Sequence, residues 1–133
     1  MKNLKYFLEF IIIIVFFLIF KILGYKIGSN FGNLIGKIIG PRFRSKKIIT
    51  NNIKIFRPSI KNDEINIMIK KMWSNYGRIL AEYPHIPNFR NKKLEKYLKI
   101  EGLENLKKIK ESRKPTLFIS GHFNNFELMA MII

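Results

Sequence analysis

Apolar and polar positions divide the chain into stretches of different period. Phe10 to Phe20 is unbroken: Phe-Ile-Ile-Ile-Ile-Val-Phe-Phe-Leu-Ile-Phe. Widening the run to Leu4–Leu23 admits only Lys5, Glu9 and Lys21. A helix of about 20 such residues spans the ~30 Å core of a bilayer. Lys5 and Lys21 can snorkel to the headgroups, and Glu9 must lie near an interface. A cleaved leader is the rival reading, because Lys2 and Lys5 form a basic start. No small-x-small site follows the run closely, so an uncleaved anchor over 1–23 is expected. Lys21, Lys26, Lys37, Arg42, Arg44, Lys46 and Lys47 follow the run, and only Lys2 and Lys5 precede it. The positive-inside rule then puts the C-terminal side in the cytoplasm.

Beyond the run, Gly24, Gly28, Gly32, Gly36 and Gly40 recur at every fourth residue. On a helix they make a ridge without side chains, against which another backbone can pack closely. The expectation is a second helix, packed on the anchor or lying in the membrane interface, and ended by Pro41. A flexible linker is the alternative, since each glycine costs about 1 kcal/mol inside a helix. A basic connector follows to Lys61, with room for a short helix around Ile48–Phe56. Residues 24–61 are therefore read as a glycine-ridged interfacial helix and connector.

From Asn62 the period is helical: Ile65, Met68, Ile69, Met72, Trp73, Tyr76, Ile79, Leu80 and Tyr83 recur at three and four residues. Asn62 is placed to cap this helix, with Asp63 and Glu64 in its first turn. Pro84 and Pro87 break it, and His85 between them reads as a solvated loop histidine without a role. After Tyr97 the pattern changes. Tyr97–Glu101 suits a short strand, Gly102 a turn, and Leu103–Glu111 a short helix. Thr116–Ser120 is an apolar run suited to a buried strand. Strand, helix, strand predicts the start of an α/β sheet. Residues 62–133 are accordingly assigned to one domain, with Phe123–Ile133 helical.

Composition adds three points. The chain of 133 residues carries a formal net charge of +16, which favours phosphates, anionic lipids or acidic proteins as partners. Ile, Lys and Asn dominate, and A/T-rich coding yields that pattern without selection for charge. The absence of cysteine excludes disulfides, zinc-thiolate sites and thiol nucleophiles. The basic residues are scattered and no helix-turn-helix, finger or RNA-binding strand motif is present, so nucleic acid is not expected as a partner.

The candidate chemistry follows the second predicted strand at Ser120-Gly121-His122. Ligands of open α/β sheets bind beyond the carboxyl ends of strands, and Gly121 permits a sharp turn there. Glu127 lies about one helical turn past His122 and can reach back. Such a pair is a general base with its orienting carboxylate. On spacing alone a helix-capping His122 with a solvated Glu127 explains the residues equally well. No Gly-x-Ser-x-Gly elbow points to a covalent acyl-enzyme.

Gly121-His122-Phe123-Asn124-Asn125-Phe126-Glu127-Leu128 resembles the Gly-His-Phe-Gly-Asn-Trp-Glu-Leu signature of the lipid A biosynthesis acyltransferases, within the His-x4-Asp/Glu glycerolipid acyltransferase group. Asn124 stands for the usual glycine and Phe126 for tryptophan; His122, Asn125 and Glu127 are retained. The likeness extends to Asn51-Asn52 before Phe56-Arg57-Pro58, to Met72–Arg78 followed by Glu82, and to Ile100–Leu106. It implies an N-terminal transmembrane helix, then helices and the first strands of an acyltransferase-like α/β domain. It implies acyl transfer from acyl carrier protein to a hydroxyl of a membrane glycolipid, a lipid A precursor, on the cytoplasmic face of the inner membrane. His122 would be the base and Glu127 its partner, with Asn125 and Gly121 contacting substrate. No metal or organic cofactor is implied. Family members run to roughly twice this length. The domain is therefore expected to be truncated, with an incomplete sheet and little activity by itself. Another lipid acceptor, or a non-catalytic basic membrane module, are the alternatives.

Overall fold

A computed structural model of the chain describes residues 2–130, of which 76% are helical. The helices are α1 (Lys2–Ile39), α2 (Lys46–Phe56), α3 (Asn62–Glu82), α4 (Ile86–Arg90), α5 (Leu103–Ser112) and α6 (Glu127–Ala130). The chain forms two compact units that meet in sequence at His85 and Ile86.

In the first unit, α1 is interrupted at Gly24, whose φ of 74° and ψ of 166° are not helical. Glycine reaches that backbone conformation without steric cost. The interruption is a fold-back. A Cβ on Gly28 would lie 3.2 Å from the Phe20 carbonyl oxygen, and the Phe20 and Phe31 rings are 6.3 Å apart. In a straight helix the eight residues from Phe20 to Gly28 would rise about 12 Å. So α1 has two arms, 2–23 and 25–39, with Phe20 fully buried in the angle between them. The first arm exposes Leu4, Phe7, Phe10 and Ile12 among many apolar side chains. By length and composition alone, α1 can cross a membrane.

The second arm packs on α3, and the glycine ridge is what lets it. A Cβ on Gly32 would collide with the Gly77 carbonyl oxygen, and one on Gly36 with the Trp73 carbonyl oxygen. From the other side, a Cβ on Gly77 would strike the Gly32 carbonyl oxygen. Backbone therefore rests on backbone. Beside the contact runs a polar ladder. Ser29 Oγ donates to Glu82 at 2.8 Å, Arg78 donates to Ser29 at 3.2 Å and to Asn30 at 3.1 Å, and Ser74 donates to Asn33. These bonds satisfy groups that the close approach removes from water. A short 3-10 turn at Gly40–Arg42, with Pro41 in its first turn, ends the arm.

Ile49 of α2 joins Ile60, Ile65 and Ile69 in a small core, covered by Ile53, Met72 and Trp73. The helix Asn62–Glu82 forms as its period predicts, with Asp63 and Glu64 in the first turn. Asn62 is its first residue and makes no capping bond. His85 differs from expectation: it is 3% exposed, and its Nε2–H donates to the Phe20 carbonyl oxygen at 3.0 Å. The Tyr25 ring meets its ring edge to face at 6.2 Å. His85 thus holds both sides of the fold-back to the end of α3.

In the second unit, Ile86 and Phe89 are the buried apolar residues of α4, and α5 buries none. The α/β expectation is overturned here. Among the described residues no strand forms. Tyr97 lies in a 3-10 turn, and Thr116–Ser120 runs without a ladder partner, with Leu117 83% and Ile119 90% exposed. A strand exists only when a neighbour takes its N–H and C=O groups. An apolar run signals a tendency to burial and cannot supply that neighbour.

Candidate active site

The residues singled out from the sequence lie between the unpaired extended segment and α6. Phe123 N–H donates to the Gly121 carbonyl oxygen at 2.8 Å, a three-residue turn centred on His122. Ser120 Oγ donates to the same carbonyl at 3.2 Å. A Cβ on Gly121 would run into the Phe123 ring, so the turn needs a residue without one. The His122 side chain stands in solvent on one face. Its other neighbour is Phe126, with ring centroids 4.1 Å apart and planes tilted by 57°.

Asn124 has φ 52°, in the left-handed region. That backbone state suits glycine, and asparagine tolerates it better than most residues. This accounts physically for the one position where asparagine replaces the glycine of the signature. The left-handed residue turns the chain into α6. Asn125 is half-buried, and its carbonyl accepts from Leu128 N–H at 3.2 Å. Glu127 opens α6 and is half-buried.

The structure thus sets His122, Asn125 and Glu127 within one turn-and-helix segment. It brings His122 onto Phe126 and not onto Glu127: no hydrogen bond or ion pair joins the two. The arrangement leaves the His122 imidazole accessible, with the Glu127 carboxylate at the start of the following helix. Residues Met131 to Ile133, expected to continue the helix, lie outside the described residues.

A family model for bacterial lipid A biosynthesis acyltransferases matches residues 1–133, the whole chain. The chain belongs to that family. No curated protein and no solved structure matches it. The lipid A acyltransferase family is one of acyl-transferring enzymes, and this member carries an N-terminal helix apolar enough to enter a membrane.

Two features of this acyltransferase escaped the sequence. His85 pins the fold-back through a backbone carbonyl 65 residues earlier, and a carbonyl leaves no mark in a sequence. Trp73, read from the sequence as one of the helical-period positions, keeps its Nε1 buried without a hydrogen-bond partner. Only a pairing of helical period with the glycine ridge could have pointed to it, since Gly40 packs on its ring.

Proposed function

We propose that this acyltransferase moves a fatty acyl chain from the thioester of acyl carrier protein to a hydroxyl of a lipid A precursor, at the cytoplasmic face of the inner membrane. The supporting observation is the family match over the whole chain, together with the retained His122, Asn125 and Glu127 of the signature. His122 takes the proton of the acceptor hydroxyl as its oxygen attacks the thioester carbonyl. The tetrahedral adduct collapses, the carbon–sulfur bond breaks, and the carrier thiolate recovers the proton from His122. Glu127 orients the imidazole and stabilises its cationic form. To do so it must close on His122, a tightening that free active sites commonly undergo when substrate binds. Asn125 and Gly121 line the approach of the acyl group. The basic surface suits both an acidic carrier and a phosphorylated glycolipid, and the basic flank of α1 supports a cytoplasmic site.

The test is mass spectrometry of lipid A from cells carrying His122→Ala at the native locus. A lipid A lacking one acyl chain is expected. Unchanged lipid A with altered glycerophospholipids would assign another acceptor, and no lipid change at all would remove His122 from catalysis.

A further inference from the structure

The fold-back of α1 leaves a groove of about 400 Å³ between its two arms and α3. Phe16 and Phe20 form one wall, Ile35 and Ile39 the second, and Tyr76 and Leu80 the third. A cavity of about 640 Å³ adjoins it, sharing Phe43, Trp73 and Tyr76, and reaches Arg44 and Asn52. Trp73 and Arg44 also line a third cleft of about 390 Å³, where Lys46 and Lys70 converge. No carboxylate lines that cleft, and none of its three cations has an ion-pair partner among the described residues.

An apolar slot thus neighbours an uncompensated basic rim, with the tryptophan common to both. We propose that this is a binding site for an anionic phospholipid of the bilayer, separate from the acyl-transfer motif. One acyl chain lies in the groove between the arms. The phosphodiester sits among Arg44, Lys46 and Lys70. The ester region between tail and head lies against Trp73, which lines both the groove and the basic cleft. The groove's first wall belongs to the arm that exposes its apolar side chains, so lipid tails reach it directly. The charge selects the head: each Lys or Arg near an anionic lipid contributes about 1 kcal/mol. The proposal rests on the reading that the first arm of α1 lies in a membrane.

Trp73 is the sole tryptophan, so its fluorescence reports on this site alone. The full chain is reconstituted in phosphatidylcholine vesicles containing increasing phosphatidylglycerol, with bromine carried on the acyl chains of one lipid or the other. Brominated phosphatidylglycerol is expected to quench Trp73 saturably, and at a mole fraction at least about fivefold lower than brominated phosphatidylcholine. Arg44→Gln and Lys70→Gln should each raise the half-quenching fraction about fivefold. Ile35→Phe, which fills the groove, should lower maximal quenching while helicity is unchanged. Should a charge variant misfold, the wild-type chain still decides, because its preference must collapse in about 1 M salt.

Equal quenching by both lipids overturns the proposal, as does a preference that survives charge removal or salt. A brominated free fatty acid quenching as well as phosphatidylglycerol would reassign the groove to a ligand without phosphodiester. Quenching by neither, with the chain afloat on the vesicles, would give it to protein–protein contact. A chain that does not float with vesicles overturns the membrane reading itself.

Discussion

The unit before His85 and the unit after it solve opposite problems. In the first, α1 and α3 approach until backbone meets backbone, and every polar bond of the ladder crosses between them. In the second, the residues retained from the acyltransferase signature sit on an exposed turn, an unpaired extended segment and a four-residue helix. Close backbone packing is invested in the first unit, and the signature residues are placed where the chain is exposed. A substitution should therefore damage either the fold or the reaction, seldom both.

The largest expected effect breaks the reaction alone. His122→Ala should reduce acyl transfer by about 10²–10⁴-fold, the usual worth of a general base. Its side chain is exposed and meets the Phe126 ring, so thermal unfolding followed by circular dichroism should shift by no more than about 0.5 kcal/mol. A large loss of helicity would show that the two units are not independent in this way. Gly77→Leu tests the other side. It forces a side chain into the Gly32 backbone and should cost about 3 kcal/mol of stability, read as a fall in the melting midpoint. His85→Ala comes next. It removes the donor from the buried Phe20 carbonyl and should cost about 1–3 kcal/mol by the same measurement. Lys21→Gln, on the exposed face of the first arm, is the control at the same end of the molecule and should leave the midpoint within about 0.5 kcal/mol. The smallest effect sharpens the comparison within the site. Asn124→Gly relieves a left-handed asparagine and should change stability by a few tenths of a kcal/mol, leaving acyl transfer intact.

What could be read from the sequence follows the same division. The helix at 62–82 was legible because its apolar positions recur at helical spacing and prolines close it. The glycine series announced a close helix contact, but its spacing could not name Gly77 as the partner. Nor could it show that Gly24 is a bend while the other glycines are contacts, since only φ separates them. Thr116–Ser120 was read as a strand from its apolar run, and the structure shows extended chain without a ladder. Strand pairing is a property of two segments, and one segment's composition does not contain it. The signature around His122 was legible as a family resemblance because residue types carry it, and the family match over the whole chain bears that resemblance out. The orientation of Glu127 was not, because spacing sets reach and not contact.

The reciprocal contact of Gly32 and Gly77 has an evolutionary consequence. Each position is kept small by the other's main chain. A first replacement on either side must pry the helices apart and carries nearly the whole cost, whereas a second, made into the gap already opened, carries little. Neither glycine can drift alone. Across descendants of this chain the two should be kept together or lost together, and a lineage that has lost both should show a wider separation between the second arm of α1 and α3.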